Sequence, residues 1–144
     1  MSNEVTRDDT QPLGMFVVPI ASAADVVAAR QRGRALAAQI GFGGSDLTVV
    51  ATAISELARN ILEYAKTGHI VLGVAQKGSR LGILIVARDE GPGIPDVARA
   101  LQDGYSTGKG LGIGLPGVKR LMDDFEVASV VGKGTAVTVK KWLS

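Results

Sequence analysis

Glu56 and Asn60 stand four residues apart in the run Glu-Leu-Ala-Arg-Asn. On a helix that spacing sets them about 40° apart around the axis and one turn apart along it. A carboxylate held beside an amide oxygen could act as a general base next to a Mg²⁺ ligand. Measured from Ile54, both side chains point away from the apolar stripe of Leu47, Val50, Ile54, Leu57 and Ile61. An ordinary solvated face, shared with Thr52, Arg59 and Glu63, also accounts for them.

Asp89 opens the second constellation, Asp-Glu-Gly-Pro-Gly, directly after an apolar run. An acid at the end of a buried strand can accept a hydrogen bond from a ligand, and Gly91 and Gly93 permit close backbone approach. A tight turn leaving a strand has the same composition. The third is the alternation Gly108, Gly110, Gly112, Gly114, with Lys109 inside it and a helix after it. Unobstructed amides followed by the positive end of a helix suit an anion such as phosphate. Two familiar phosphate motifs fail here. Only three residues separate Gly104 from Gly108, and Gly110 follows Lys109, so the Walker spacing is wrong. Gly112 to Gly117 spells G-x-G-x-x-G, but a loop precedes it and no acid stands twenty residues on. The fourth is Gly132-Lys-Gly-Thr135, which by itself reads as a hairpin turn.

These residues need elements to hold them. Residues 15–20 read as a first strand, with Pro19 placing it at a sheet edge. Ser22 caps a helix that ends before Gly41, and Ser45 caps a longer one reaching about Lys66. Residues 70–75 and 81–87 form an antiparallel hairpin, and His69 falls in the junction before it. A short helix begins at Pro95, another runs over 116–124, and 125–131 and 135–141 close the chain as a second hairpin. Ten of the 19 glycines lie between Gly91 and Gly134, so the backbone there serves something other than packing. The expected architecture is an α+β two-layer sandwich, a mixed but mostly antiparallel sheet with helices on one face. Residues 1–14 read as a flexible leader and 15–144 as one domain.

Composition narrows the function. Sixteen Lys and Arg against 14 Asp and Glu, with no basic run, argue against nucleic acid. The absence of cysteine removes disulfides, thiolate metal sites and thiol nucleophiles, and a single histidine excludes a multi-histidine cluster. No apolar signal core or membrane span is present, so a cytoplasmic chain without membrane association is expected.

Taken in order, the four constellations resemble the GHKL ATPase superfamily, whose pattern is an E-x-x-x-N helix, D-x-G-x-G, a glycine-rich segment and G-x-T on a strand. The likeness spans about residues 20–143. The wording of residues 53–60, 90–95 and 112–123 is similar to the small serine/threonine switch kinases of the bacterial stressosome. The resemblance implies a Bergerat-type fold, ATP and Mg²⁺ as cofactors, and roles for individual residues. Asp89 would accept the adenine amino group with Thr135 supporting that edge, and Gly91 and Gly93 would shape its pocket. Asn60 would ligate Mg²⁺ and Glu56 would be the general base. Gly108, Gly110, Gly112 and Gly114 would offer amides or hinge freedom near the phosphates, with Lys109 adding charge. It further implies STAS-domain scaffold and antagonist proteins as substrates, and a downstream phosphatase activated by binding. Two alternatives stay open: a nucleotide-gated binding module that acts by partner activation, and an anti-sigma-factor kinase that binds sigma factor directly.

Overall fold

Apolar residues alternating along the strands and repeating at three and four along the helices sort the chain into two layers. The computed structural model describes residues 10–102 and 113–144. In chain order the elements are β1 (Thr10–Ile20), α1 (Ala23–Ile40), α2 (Ser45–Ala65), β2 (Gly68–Lys77), β3 (Arg80–Asp89), α3 (Val97–Ala100), α4 (Gly114–Leu121), β4 (Asp124–Val130) and β5 (Gly134–Trp142). The strands lie in the order β1-β2-β3-β5-β4.

Every strand pairing among the described residues is antiparallel, which corrects the expectation of a mixed sheet. β4 begins level with Leu84, midway along β3, and runs in the same direction. β5 enters between them in reverse, so the two like-directed strands never pair. β1 is an edge strand, as Pro19 implied. It starts at Thr10 rather than 15, so the expected leader boundary at 14 falls inside a strand. The reason is that β2 offers backbone partners as far as Lys77, opposite Thr10, with one irregularity between Pro12 and Gly14.

Local chemistry sets the helix ends. Ser22 Oγ accepts from the Asp25 amide, and the Asp25 carboxylate accepts from the Ala21 amide at 2.8 Å, so α1 is capped from both directions. Ser45 is the first residue of α2 rather than its cap, a place taken by Gly44. Asp96 caps α3, which therefore starts two residues after Pro95. α4 stops at Leu121, because residues from Asp124 onward pair with β5. His69 lies within β2, opposite Pro19 and Arg88, not in a loop.

Two rows of side chains run across all five strands beneath the helices: Phe16, Leu72, Ile85, Val139 and Phe125, then Val18, Ile70, Ala87, Val137 and Val127. Val26, Val50, Ile54, Leu57, Ile61 and Val118 cover them. Each wholly buried Ile or Leu in this layer contributes about 1.5–3 kcal/mol. The next row is different. It reads Ile20, Gly68, Asp89, Thr135 and Ser129, so the apolar core ends on a polar rung at one end of the sheet.

Candidate functional site

The polar rung owes its order to pairing register. Asp89 is the last residue of β3 and faces Thr135, the second residue of β5, which in turn faces Ser129 of β4. Asp89 Oδ1 accepts from the Gly91 amide at 2.8 Å, which turns the chain at the end of β3. Ser129 Oγ lies 2.8 Å from Thr135 Oγ1 and accepts from the Ile94 amide at 2.7 Å. It also donates to the Gly134 carbonyl at 3.2 Å. Gly134 has φ +135°, and a Cβ there would strike the Asp89 carbonyl and come within 2.7 Å of Glu90 Cα. Only glycine lets β5 pass so close to the end of β3.

α2 lies over this rung. A Cβ on Gly68 would approach Ile61 Cγ2 to 2.9 Å and Asp89 Cβ to 3.2 Å, and a Cβ on Gly91 would meet Ala65 Cβ at 2.6 Å. The helix segment from Ile61 to Ala65 is therefore seated against Asp89 and Gly91. Asn60, half-buried, precedes that segment directly. Gly93 packs against the turn between β4 and β5, where the Gly132 amide donates to the Pro92 carbonyl at 2.8 Å.

Glu56, one turn earlier, overturns the expectation of a solvated face: it is only 4 % exposed. α4 packs on that flank of α2, and its first residues carry no side-chain cap of their own. Glu56 supplies the cap from outside. Its Oε2 accepts from the Gly114 amide at 3.2 Å, and its Oε1 accepts from the Ile113 amide at 3.4 Å and from Arg59 Nη2 at 3.1 Å. A carboxylate at a helix N-terminus is stabilised by the amides and by the helix dipole together. Gly114 thus stands where the sequence put it, at the start of the helix after the glycine run, with its amide turned to a buried acid. Gly108, Lys109, Gly110 and Gly112 lie outside the described residues.

Asp89, Gly91 and Thr135 are thus brought together by direct contacts, Gly93 packs on the adjoining β4–β5 turn, Glu56 and Gly114 form a second contact, and Asn60 lies between the two along α2. Ser129 and Arg59 were missed. Arg59 was read as part of a solvated face. Ser129 left one trace: in the alternation Phe125, Val127, Ser129, the third inward position is polar.

The donor set fits a purine nucleotide with a cation. Acceptors at the rung suit an exocyclic amine, and amides at α4 suit an anion. Among the described residues no group of three or more His, Cys, Asp or Glu side chains could hold a metal by itself. Asn60 suits instead a cation held largely by phosphates and water, as Mg²⁺ usually is. A depression of about 490 Å³ between Lys119, Asp124 and Lys140 lies at the other end of the β4–β5 hairpin from Ser129. Asp123 and Asp124 are tied there to Trp142, so we assign it no chemistry.

The fold and this arrangement of acids and amides define a nucleotide-binding domain, and the chain belongs to the histidine kinase-like ATPase domain family, whose model matches residues 20–141. It is 55 % identical to the serine/threonine-protein kinase RsbT of Bacillus subtilis over 120 residues, 83 % of this chain and 90 % of that one. It is 31 % identical over 115 residues to an anti-sigma F factor of a Thermoanaerobacter species, covering 76 % and 79 %. A crystal structure of RsbU and RsbW domains from Mycobacterium tuberculosis superposes with TM-score 0.60 at 20 % identity, over 92 % of this chain and 34 % of that one, a likeness of fold.

Proposed function

We propose that the chain is an ATP-dependent serine/threonine protein kinase of a sigma-factor partner switch. The reading is carried by the seating of α2 against Asp89 and Gly91 at one point and, through Glu56, against α4 at another. Its likeness to RsbT adds the acceptor class, and the family adds the nucleotide.

In this reading Asp89 and Thr135 receive the adenine edge, Gly91 and Gly93 hold the loop that shapes its pocket, and Asn60 holds Mg²⁺. The amides at the start of α4 receive phosphate oxygens. Glycines 108, 110, 112 and 114, with Lys109, complete that anion site. MgATP, when bound, supplies the transferable phosphoryl group and the cation that spreads its charge. Glu56 takes the proton of the incoming hydroxyl. To do so its carboxylate leaves the amides of Ile113 and Gly114, which then face phosphate instead. The substrates are STAS-domain scaffold and antagonist proteins, and release from them frees the kinase to activate a phosphatase by binding. The setting is the cytoplasm, with β1 to β5 and the helices packed on them as the working domain. No helix among the described residues is long and apolar enough to cross a membrane.

Incubation with Mg²⁺, labelled ATP and STAS-domain proteins tests the reading. Label is expected on serine or threonine of the acceptor, and to vanish with EDTA. ATP binding without any transfer to any such acceptor would favour the nucleotide-gated binding module instead.

A further inference from the structure

The hydroxyl of Ser129 has one proton and three polar neighbours. The Ile94 amide donates to it at 2.7 Å, the Gly134 carbonyl lies 3.2 Å away, and Thr135 Oγ1 lies 2.8 Å away. A carbonyl can only accept, so the Ser129 proton serves Gly134. The remaining contact is then satisfied only if Thr135 donates its own proton to Ser129. Any other assignment leaves two oxygens facing each other with no hydrogen between them, a costly arrangement in a half-buried site. Thr135 therefore turns lone pairs, not a proton, toward its other neighbours. Asp89, its partner across the β3–β5 pairing, has one carboxylate oxygen engaged by the Gly91 amide and is likewise an acceptor.

We infer that Ser129 is a specificity-determining residue: by taking the Thr135 proton it makes the end of the polar rung a pair of acceptors, which selects a purine bearing an exocyclic amino group at position 6 and rejects one bearing a carbonyl there. Ser129 touches no ligand in this scheme. It is a positioning residue acting through Thr135, and the inference rests on the adenine assignment proposed above. Chemically the discrimination comes from the keto oxygen: set against acceptors it has no donor to meet, and the neighbouring N1–H of a 6-oxo purine can serve only one of the two.

The test compares binding of ATP and inosine triphosphate by calorimetry with the whole chain, without an acceptor protein. The parent chain prefers ATP. Ser129→Ala frees the Thr135 proton to rotate toward the ligand, and the ATP-over-inosine preference falls about tenfold, the worth of one hydrogen bond. Ser129→Thr keeps the hydroxyl and keeps the preference. Thr135→Val lowers the preference by itself, and adding Ser129→Ala to it lowers it no further. Ser129→Cys, nearly isosteric but a far weaker acceptor, is measured beside the alanine variant so that loss of folding in one leaves a readout in the other. An unmoved preference in Ser129→Ala and Ser129→Cys, or a further drop in the Thr135→Val background, overturns the inference while leaving the kinase reading intact. A parent chain that binds no ATP overturns the kinase reading itself, and this inference with it.

Discussion

Replacing Glu56 by glutamine separates two jobs that the structure gives to one side chain. The carboxylate is buried and accepts three hydrogen bonds, from Arg59 and from the amides of Ile113 and Gly114. Glutamine has the same shape, but one of its two heads is a donor. Wherever the amide group points, it meets a donor, either the guanidinium or the start of α4. At least one charge-assisted bond, worth about 1.5–3 kcal/mol, is lost. The carboxylate's interaction with the helix N-terminus, typically about 0.3–1 kcal/mol, goes with it. Arg59 is half exposed, at 50 %, so its share is screened and adds little. The sum is about 2–4 kcal/mol of stability. In a domain of this size that lowers the melting temperature by roughly 4–16 °C. Urea unfolding of the ligand-free chain measures the global effect. Amide hydrogen exchange at Gly117 and Val118 measures it locally, since the first turn of α4 should open most easily. Phosphotransfer should fall by about 10²–10⁴, the usual cost of a lost general base. Affinity for MgATP should not weaken, because a neutral amide competes less with phosphate for the same helix end. A urea midpoint and α4 exchange rates equal to the parent's would refute the external cap. Retained transfer would refute the base, and the two outcomes are independent.

Asp89→Asn replaces a carboxylate acceptor by an amide and should weaken ATP about ten- to a hundredfold, equivalent to about 1.5–3 kcal/mol; unchanged affinity in calorimetry counts against the adenine assignment. Asn60→Ala should abolish the Mg²⁺ dependence of ATP binding, so titrations with and without EDTA should coincide; a persisting difference removes Asn60 from the metal. Gly134→Ala forces a side chain into φ +135° and against the Asp89 carbonyl, at a cost of roughly 2–5 kcal/mol from strain and overpacking. Thermal melting of Gly134→Ala should show that loss, and a melting temperature within a degree of the parent's would mean the rung is looser than its geometry implies.

Much of the fold was legible because each element carries its own period. The Leu47-to-Ile61 stripe, the Lys77–Arg80 link and the Ser22 cap are local signals, and local physics places them. What was not legible depends on register or on a second helix. Glu56 looked solvated because periodicity weighs Ala53 and Ala58 lightly, and nothing within α2 announces that α4 will pack on that flank. The antiparallel pairing of β3 with β5 was hidden because it spans a crossover through α3, α4 and β4. Ser129 was hidden for the same reason, since its contacts with Ile94 and Thr135 exist only once β4 is laid beside β5 in one particular alignment.

That alignment also explains how a chain with so few chemically reactive side chains can build a selective site. Moving β4 by one residue against β5 would turn Phe125 and Val127 out of the core along with Ser129. The apolar residues thereby fix, at the cost of no extra contact, which hydroxyl meets Thr135. Hydrophobic packing sets the register, the register sets the direction of one proton, and that proton decides whether the rung presents an acceptor or a donor. A substitution deep in β4, such as Val127→Thr, should accordingly disturb base preference if it loosens the register, although position 127 lies one rung inside the polar row. Equal preference for ATP over inosine triphosphate in a Val127→Thr chain whose β4 amides exchange faster than the parent's would show that register and selectivity are uncoupled.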